Sequence, residues 1–333
     1  MKKSKTAIVT GGAGFIGSHM VDLLIKNNFN VKVIDNLSGG HKKNLNHLKK
    51  NSKLKFFNLD ICKLNSHLKI FKNIDFVFHF AGIGDIVPSI ESPEKYIQTN
   101  VQGTIKVLEM CRKNKIKKFV YAASASCYGK TTKPVDENHQ INLEHPYALS
   151  KYLGERAAFH WNKVYGLPVN SIRIFNAYGP RVRTTGAYGA VIGVFFKQKI
   201  EKKPLTIVGN GKQSRDFVYV KDVARAFFLA AKTKLNGQVY NVGTGKPQSV
   251  NHLVSLIGGK KSFIPDRPGE PRKSSADISK IKKELKWHPI FKFDDAIKSM
   301  IKEIHEWKDA PLWTPKKIKK ATKTWFSYLA NSK

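Results

Sequence analysis

The stretch Thr10-Gly11-Gly12-Ala13-Gly14-Phe15-Ile16-Gly17 decides the fold. It follows an apolar segment, Thr6–Thr10, that reads as a strand, and it opens a helical pattern over about Phe15–Asn27. Gly11, Gly14 and Gly17 are evenly spaced, and Gly12, Gly14 and Gly17 give an overlapping spacing. Glycine permits the tight turn, the close approach of backbone to a pyrophosphate, and the close packing of helix on strand. The helix N-terminus then faces the anion. Alone, such a motif is a weak signal; a strand before it and a helix after it put this one in the first βαβ unit. Asp35 ends the next strand, Val31–Asp35. An acid there accepts hydrogen bonds from the adenosine ribose hydroxyls and repels a 2′-phosphate, which favours NAD.

Outward from this unit, apolar segments at Leu54–Asn58, Asp75–Phe80, Lys118–Ala123 and Val169–Phe175 alternate with helical ones. A long helix is expected near Glu94–Asn114 and another over Lys151–Trp161, with Pro146 near its start. This rhythm predicts an α/β fold with a doubly wound parallel sheet. After about Gly179 the pattern loosens into loops rich in Gly, Pro and Arg, with strands at Leu205–Val208 and Val239–Val242. Residues 1–178 read as the dinucleotide-binding domain and 179–333 as a smaller, mixed α/β, predominantly substrate-binding lobe. The two interleave without a clean linker. The basic, aromatic tail Trp307–Lys333 reads as a packed helix or lobe cover.

Composition narrows the function classes. Apolar residues make up 41% of 333, normal for a globular chain with a substantial core. No apolar run approaches the roughly 20 residues that span a bilayer. Met1–Thr10 runs into a strand and is too short for a signal peptide. Cys62, Cys111 and Cys127 are too few and scattered for a disulfide framework or a zinc site, so no metal is assigned and a reducing cytoplasm is expected. The formal charge of +35 raises the question of a polyanion partner. The lysines are spread over nearly every surface segment and outnumber arginines, which favours a general lysine-rich composition over a nucleic-acid reader.

Three segments carry the chemistry. Tyr147 and Lys151 are four residues apart, one helical turn, on one face. A free tyrosine, with a pKa of about 10, is a poor base, and a nearby ammonium is expected to lower that value. Ser124-Ala125-Ser126-Cys127-Tyr128-Gly129 ends the fifth strand. Period-two alternation sends Ser124 and Ser126 one way and Cys127 the other, so Cys127 packs while Ser124 holds the substrate oxygen as Tyr147 takes its proton. Phe80-Ala81-Gly82 ends the fourth strand with small residues that let a cofactor lie close.

On these motifs the chain resembles the nucleotide-sugar epimerases of the extended short-chain dehydrogenase/reductase family, the NAD-dependent epimerase/dehydratases with a Rossmann domain. The resemblance covers about residues 6–305 and adds Asp35-Asn36-Leu37, Asn100, PYALSK (146–151), RIFNAYGP (173–180), GAYGAVIG (186–193), SRDFVYVKDV (214–223) and RPGEPRKSSAD (267–277). It implies tightly bound NAD, held by Gly11, Gly14, Phe15, Ile16, Gly17, Asp35, Asn36, Asp60, Ile61, Phe80, Ala81, Gly82, Asn100, Phe175, Tyr147 and Lys151. It implies Tyr147, Lys151, Ser124 and Ser126 as the catalytic group, and Asp85, Ser124, Asn176, Arg215, Arg267 and Ser274 around a UDP-sugar. It also implies a homodimer formed through the helices after Asn100 and at Tyr147.

The resemblance also separates sister reactions. The 4,6-dehydratases carry an Asp-Glu pair just after the position of Ser124, and UDP-glucuronate decarboxylases a Glu; here stand Ala125 and Ser126. Elimination of water needs that extra acid/base. The 3,5-epimerases place Cys where Ser126 stands. A UDP-sugar 4-epimerase remains, acting on UDP-N-acetylhexosamines or UDP-glucose/galactose, with UDP-glucuronate as the alternative.

Overall fold

Seven parallel strands form the central sheet, in the order Gln238–Val242, β6 (Val169–Ile174), β5 (Lys118–Ser124), β4 (Phe76–His79), β1 (Thr6–Thr10), β2 (Asn30–Asp35) and β3 (Leu54–Asn58). The structure is a computed structural model that describes residues 4–65, 69–182, 191–266 and 271–329. The strands are short apolar runs because both sheet faces are covered. Within β1, Ala7 and Val9 join the apolar cluster on one face and Ile8 the cluster on the other. The first face packs against α1 (Phe15–Lys26) and the helix Val220–Lys232, through Met20, Leu24, Val223 and Phe227. The second packs against Gly103–Lys113 and Pro146–Tyr165, through Val107, Cys111 and Ala158. Strand order reverses between β1 and β4, which opens the ligand crevice at their C-terminal ends.

Two departures from the sequence reading have local causes. The helix carrying Tyr147 spans Pro146–Tyr165, because His145 accepts the Ala148 N–H at its Nδ1 (3.1 Å) and Gly166 ends the helix at φ 67°. The long helix at 94–114 is helical from Pro93 but passes through a π-turn at Gln98–Gln102, which places Asn100 at the irregularity. Beyond Gly179 the chain returns to the central sheet and its flanking helices. Val220–Lys232 lies beside α1, and Gln238–Val242 supplies the seventh strand. The second lobe has its own apolar cluster around Tyr178, Phe195, Phe196, Leu205, Ile297 and Trp307. No described helix is long and apolar enough to cross a membrane.

A buried ion pair fixes the Tyr147 helix to the sheet. Arg173 Nη2 on β6 lies 2.6 Å from Glu155 Oε1, with both side chains almost wholly enclosed. Ser171 donates to the other carboxylate oxygen at 2.8 Å. Removing one partner strands a charge in a medium that solvates it poorly. Glu155→Ala is expected to lower unfolding free energy by about 3–5 kcal/mol in urea titration. Glu201→Ala, which breaks the exposed Lys197–Glu201 pair, is expected to change it by under about 1 kcal/mol.

Candidate active site

A cleft of about 890 Å³ runs from the glycine turn, past the ends of β4 and β5, to the second lobe. At its first end Gly11 has φ 68°, and a Cβ there would lie 2.7 Å from Ala81 N. A Cβ on Gly17 would lie 2.2 Å from Gly11 O. Only bare backbone fits both places, and α1 therefore begins directly at the cleft with Phe15, Ile16 and Gly14 on its wall. Asp35 lines the same end. Its carboxylate accepts Ala13 N–H at 3.0 Å and Leu37 N–H at 2.8 Å, which fixes its orientation. Burial pushes it above the usual carboxylate range, against the pull of those two bonds. Asn36, Asp60, Ile61, Phe80, Ala81, Gly82 and Phe175 also reach the cleft. A glycine cradle, an oriented acid and small residues at the end of β4 fit a dinucleotide with unphosphorylated ribose.

Asn100 is placed differently from the sequence expectation. It stands behind the wall rather than on it, only 1% exposed. Its side chain accepts Ile83 N–H at 2.7 Å and donates to Ile83 O at 3.0 Å and Ser150 Oγ at 2.9 Å. It thus ties the loop after β4 to the Tyr147 helix, as a positioning residue.

Tyr147, Ser124, Ser126 and Lys151 all meet the cleft. The Ser124 hydroxyl stands close enough to Tyr147 to pull its pKa down. The strand ends at Ser124 and a 3₁₀ turn follows, so simple alternation does not extend to Ser126. The two serines are joined instead by their own bond, Ser124 Oγ to Ser126 Oγ at 3.0 Å. Cys127 is buried, as expected of a packing residue. Tyr147 departs from the expected direction. Burial raises its pKa, and Ser124 pulls back only in part. The Lys151 ammonium lies over the Tyr121 ring, 4.5 Å from its centroid. Burial brings Lys151 itself down to about 8, so it remains mostly charged at neutral pH.

Toward the second lobe, Asp85, Asn176, Arg215 and Ser274 line the cleft, whereas Arg267 lies outside the described residues. Asp216, which the sequence reading passed over, organises this end. Its buried carboxylate accepts Thr244 N–H and Oγ–H at 2.6 Å, Gly245 N–H at 2.9 Å and Ala276 N–H at 2.9 Å. It thereby holds the segment of Ser274 beside that of Arg215. Its place next to Arg215 was the available signal. His145 was also missed. Its ring stacks on Tyr147 with centroids 5.9 Å apart and planes 8° off parallel, and it lines the cleft. Trp325 and Ile318 from the tail line it too.

Residues 7–243 match the NAD dependent epimerase/dehydratase family. A Methanocaldococcus jannaschii protein provisionally named a UDP-glucose 4-epimerase is 42% identical over 303 residues, 88% of this chain and 96% of its own length. The solved UDP-N-acetylglucosamine 4-epimerase of Methanobrevibacter ruminantium M1, in complex with UDP-N-acetylmuramic acid, aligns with a TM-score of 0.86 at 35% identity, over 90% of this chain and 98% of its own. The UDP-glucuronic acid 4-epimerase of Bacillus cereus, in complex with UDP-glucuronic acid and NAD, aligns with a TM-score of 0.84 at 33% identity, over 90% and 99%.

His145 gives the site a pH dependence of known sign. Burial holds its pKa down to about 4, from 6.5. The folded state therefore binds its proton less well than the unfolded chain, and stability present above pH 6.5 is lost as pH falls toward 4. Protonation also removes the acceptor that caps Ala148 N–H. His145→Asn keeps a capping side chain without titrating. The parent is expected to lose up to about 3 kcal/mol more than this variant between pH 7 and pH 4, read from urea midpoints at the two pH values. Parallel losses would refute the assignment.

Proposed function

The chain belongs to the NAD dependent epimerase/dehydratase family, and we propose that it inverts C4 of a UDP-sugar by transient oxidation to the 4-keto sugar. One observation carries the reading: Tyr147, beside Ser124 and one turn from Lys151, opens onto the cleft that begins at the glycine cradle. Bound NAD supplies the hydride acceptor and, in the second half of the cycle, the donor. The chain's residues handle the proton. Ser124 holds the C4 oxygen. Tyr147 takes the hydroxyl proton as the hydride leaves C4, and returns it after the keto sugar has turned over and regained hydride on its other face. The Lys151 cation supports the charged phenolate at that step. Lowering Tyr147 into a useful range thus depends on positive charge brought in with the loaded site, since burial alone raises it.

Ala125 and Ser126 beside this group bring no carboxylate, so the segment lacks the acid/base that dehydration requires. Asn176 and Arg215 would bind the diphosphate, with Arg215 suited to bidentate oxygen contacts. Ser274, half-buried on the cleft wall, leaves room at C2 for an N-acetyl group. Asp85 lines the cleft next to Tyr96, whose hydroxyl bonds the Asp85 carbonyl at 2.5 Å. A carboxylate there disfavours a uronate. We therefore rank UDP-N-acetylhexosamines first, UDP-glucose/galactose next and UDP-glucuronate last. Exposed Leu149 and Leu153 on the Tyr147 helix, each 38% exposed, support a homodimer through that face. A cytoplasmic location suits an enzyme of soluble nucleotide sugars with three free cysteines.

Tyr147→Phe is expected to lower kcat about 10³-fold with KM nearly unchanged, the range of a lost acid/base. Interconversion at the parent rate would end the proposal. Ser274→Tyr is expected to cut kcat/KM for UDP-N-acetylglucosamine at least tenfold, roughly the size of one pocket clash, while sparing UDP-glucose. Turnover of UDP-glucuronate alone by the parent protein would overturn the ranking.

A further inference from the structure

We propose that the C-terminal helix Lys323–Leu329 forms the outer wall of the hexose end of the cleft, with Trp325 as a specificity-determining residue that contacts the sugar ring. The placement rests on a short chain of contacts. The Trp325 ring lies 6.3 Å from that of His145, and His145 stacks on Tyr147. The helix is fastened beside the same end of the cleft. A hydrogen bond of 3.0 Å joins Thr324 Oγ1 to Glu91 Oε1, at the close of the helix Val87–Glu91 that follows Asp85.

Burial separates this from ordinary packing. Trp325 is 4% and Ile318 5% exposed, yet neither belongs to any of the three apolar clusters. Their enclosed surfaces meet the cleft. Lys316, Lys317, Lys319, Lys320 and Lys323 point outward into solvent. The segment thus puts two apolar side chains on the site and keeps its charges outside. A pyranose presents C–H groups on one face, and an indole offers a large rigid surface to them. The position also suits the reaction. The keto sugar must turn over without leaving, so the wall has to hold the hexose while the nucleotide stays anchored elsewhere.

This inference rests on the proposed UDP-sugar chemistry, and its test separates the two. In the full-length holoenzyme, Trp325→Ala is expected to raise KM for UDP-N-acetylglucosamine about tenfold, with the Kd of UDP alone within about twofold and kcat less affected. Trp325→Phe is expected to restore most of the KM. Titration with UDP-N-acetylglucosamine should change the tryptophan emission of the parent, titration with UDP should not, and Trp325→Phe should lack the response. An unchanged KM in Trp325→Ala, equal loss of UDP and UDP-sugar affinity, or the same emission response in Trp325→Phe overturns the wall. A Trp325-dependent response without any epimer formed would sink the proposed reaction and leave the wall standing.

Discussion

The site depends on backbone approaching backbone where no side chain fits. Gly17 brings α1 onto the carbonyl of Gly11, and Gly11 rests against the backbone of Phe80 and Ala81 at the end of β4. This contact spans the point where strand order reverses. It sets the depth of the crevice and the direction of the helix N-terminus that opens on it. Any Cβ would push α1 away from the sheet and widen the place where a pyrophosphate is to be held.

A buried polar chain carries that geometry to the chemical group. Thr10 Oγ1 bonds His79 Nδ1 at 2.7 Å, His79 Nε2 bonds Thr104 Oγ1 at 2.9 Å, and Thr104 donates to Asn100 O at 2.7 Å. Asn100 then holds Ser150 on the Tyr147 helix. Burial drives His79 down to about 3, so it stays neutral and serves as a fixed hydrogen-bond link rather than a charge. In a poorly solvating interior every member must be satisfied, which makes the chain rigid. The π-turn at Gln98–Gln102 is where the long helix gives up regular geometry near Asn100.

Electrostatics at the centre follow from the same enclosure. Lys151 and Tyr147 both lose water, and each shifts toward its neutral form. The pair is therefore not a phenolate and an ammonium waiting side by side. The tail shows how lysine is used locally, holding solvent on one side of a segment whose other side faces the cleft.

The sequence alone determined the parallel βαβ arrangement, the glycine cradle, Asp35 and the Tyr147–Lys151 pair. These rest on local rules: apolar runs of strand length, a turn only glycine can make, and a helical spacing of four. Cys127 is buried as the sequence reading expected, but through a 3₁₀ turn rather than strand alternation. Tertiary structure alone decided where groups distant in sequence meet. Asn100 was withdrawn behind the wall because the loop after β4 and Ser150 on the Tyr147 helix claim its amide. Asp216 became the clasp of the second lobe because three backbone N–H groups from two other segments converge on it. Burial reversed the expected shift of Tyr147, because burial is a property of the whole enclosure and not of a spacing. Trp325 reached the cleft only through the docking of a tail helix, and nothing in its own neighbourhood of sequence encodes the surface on which it lands.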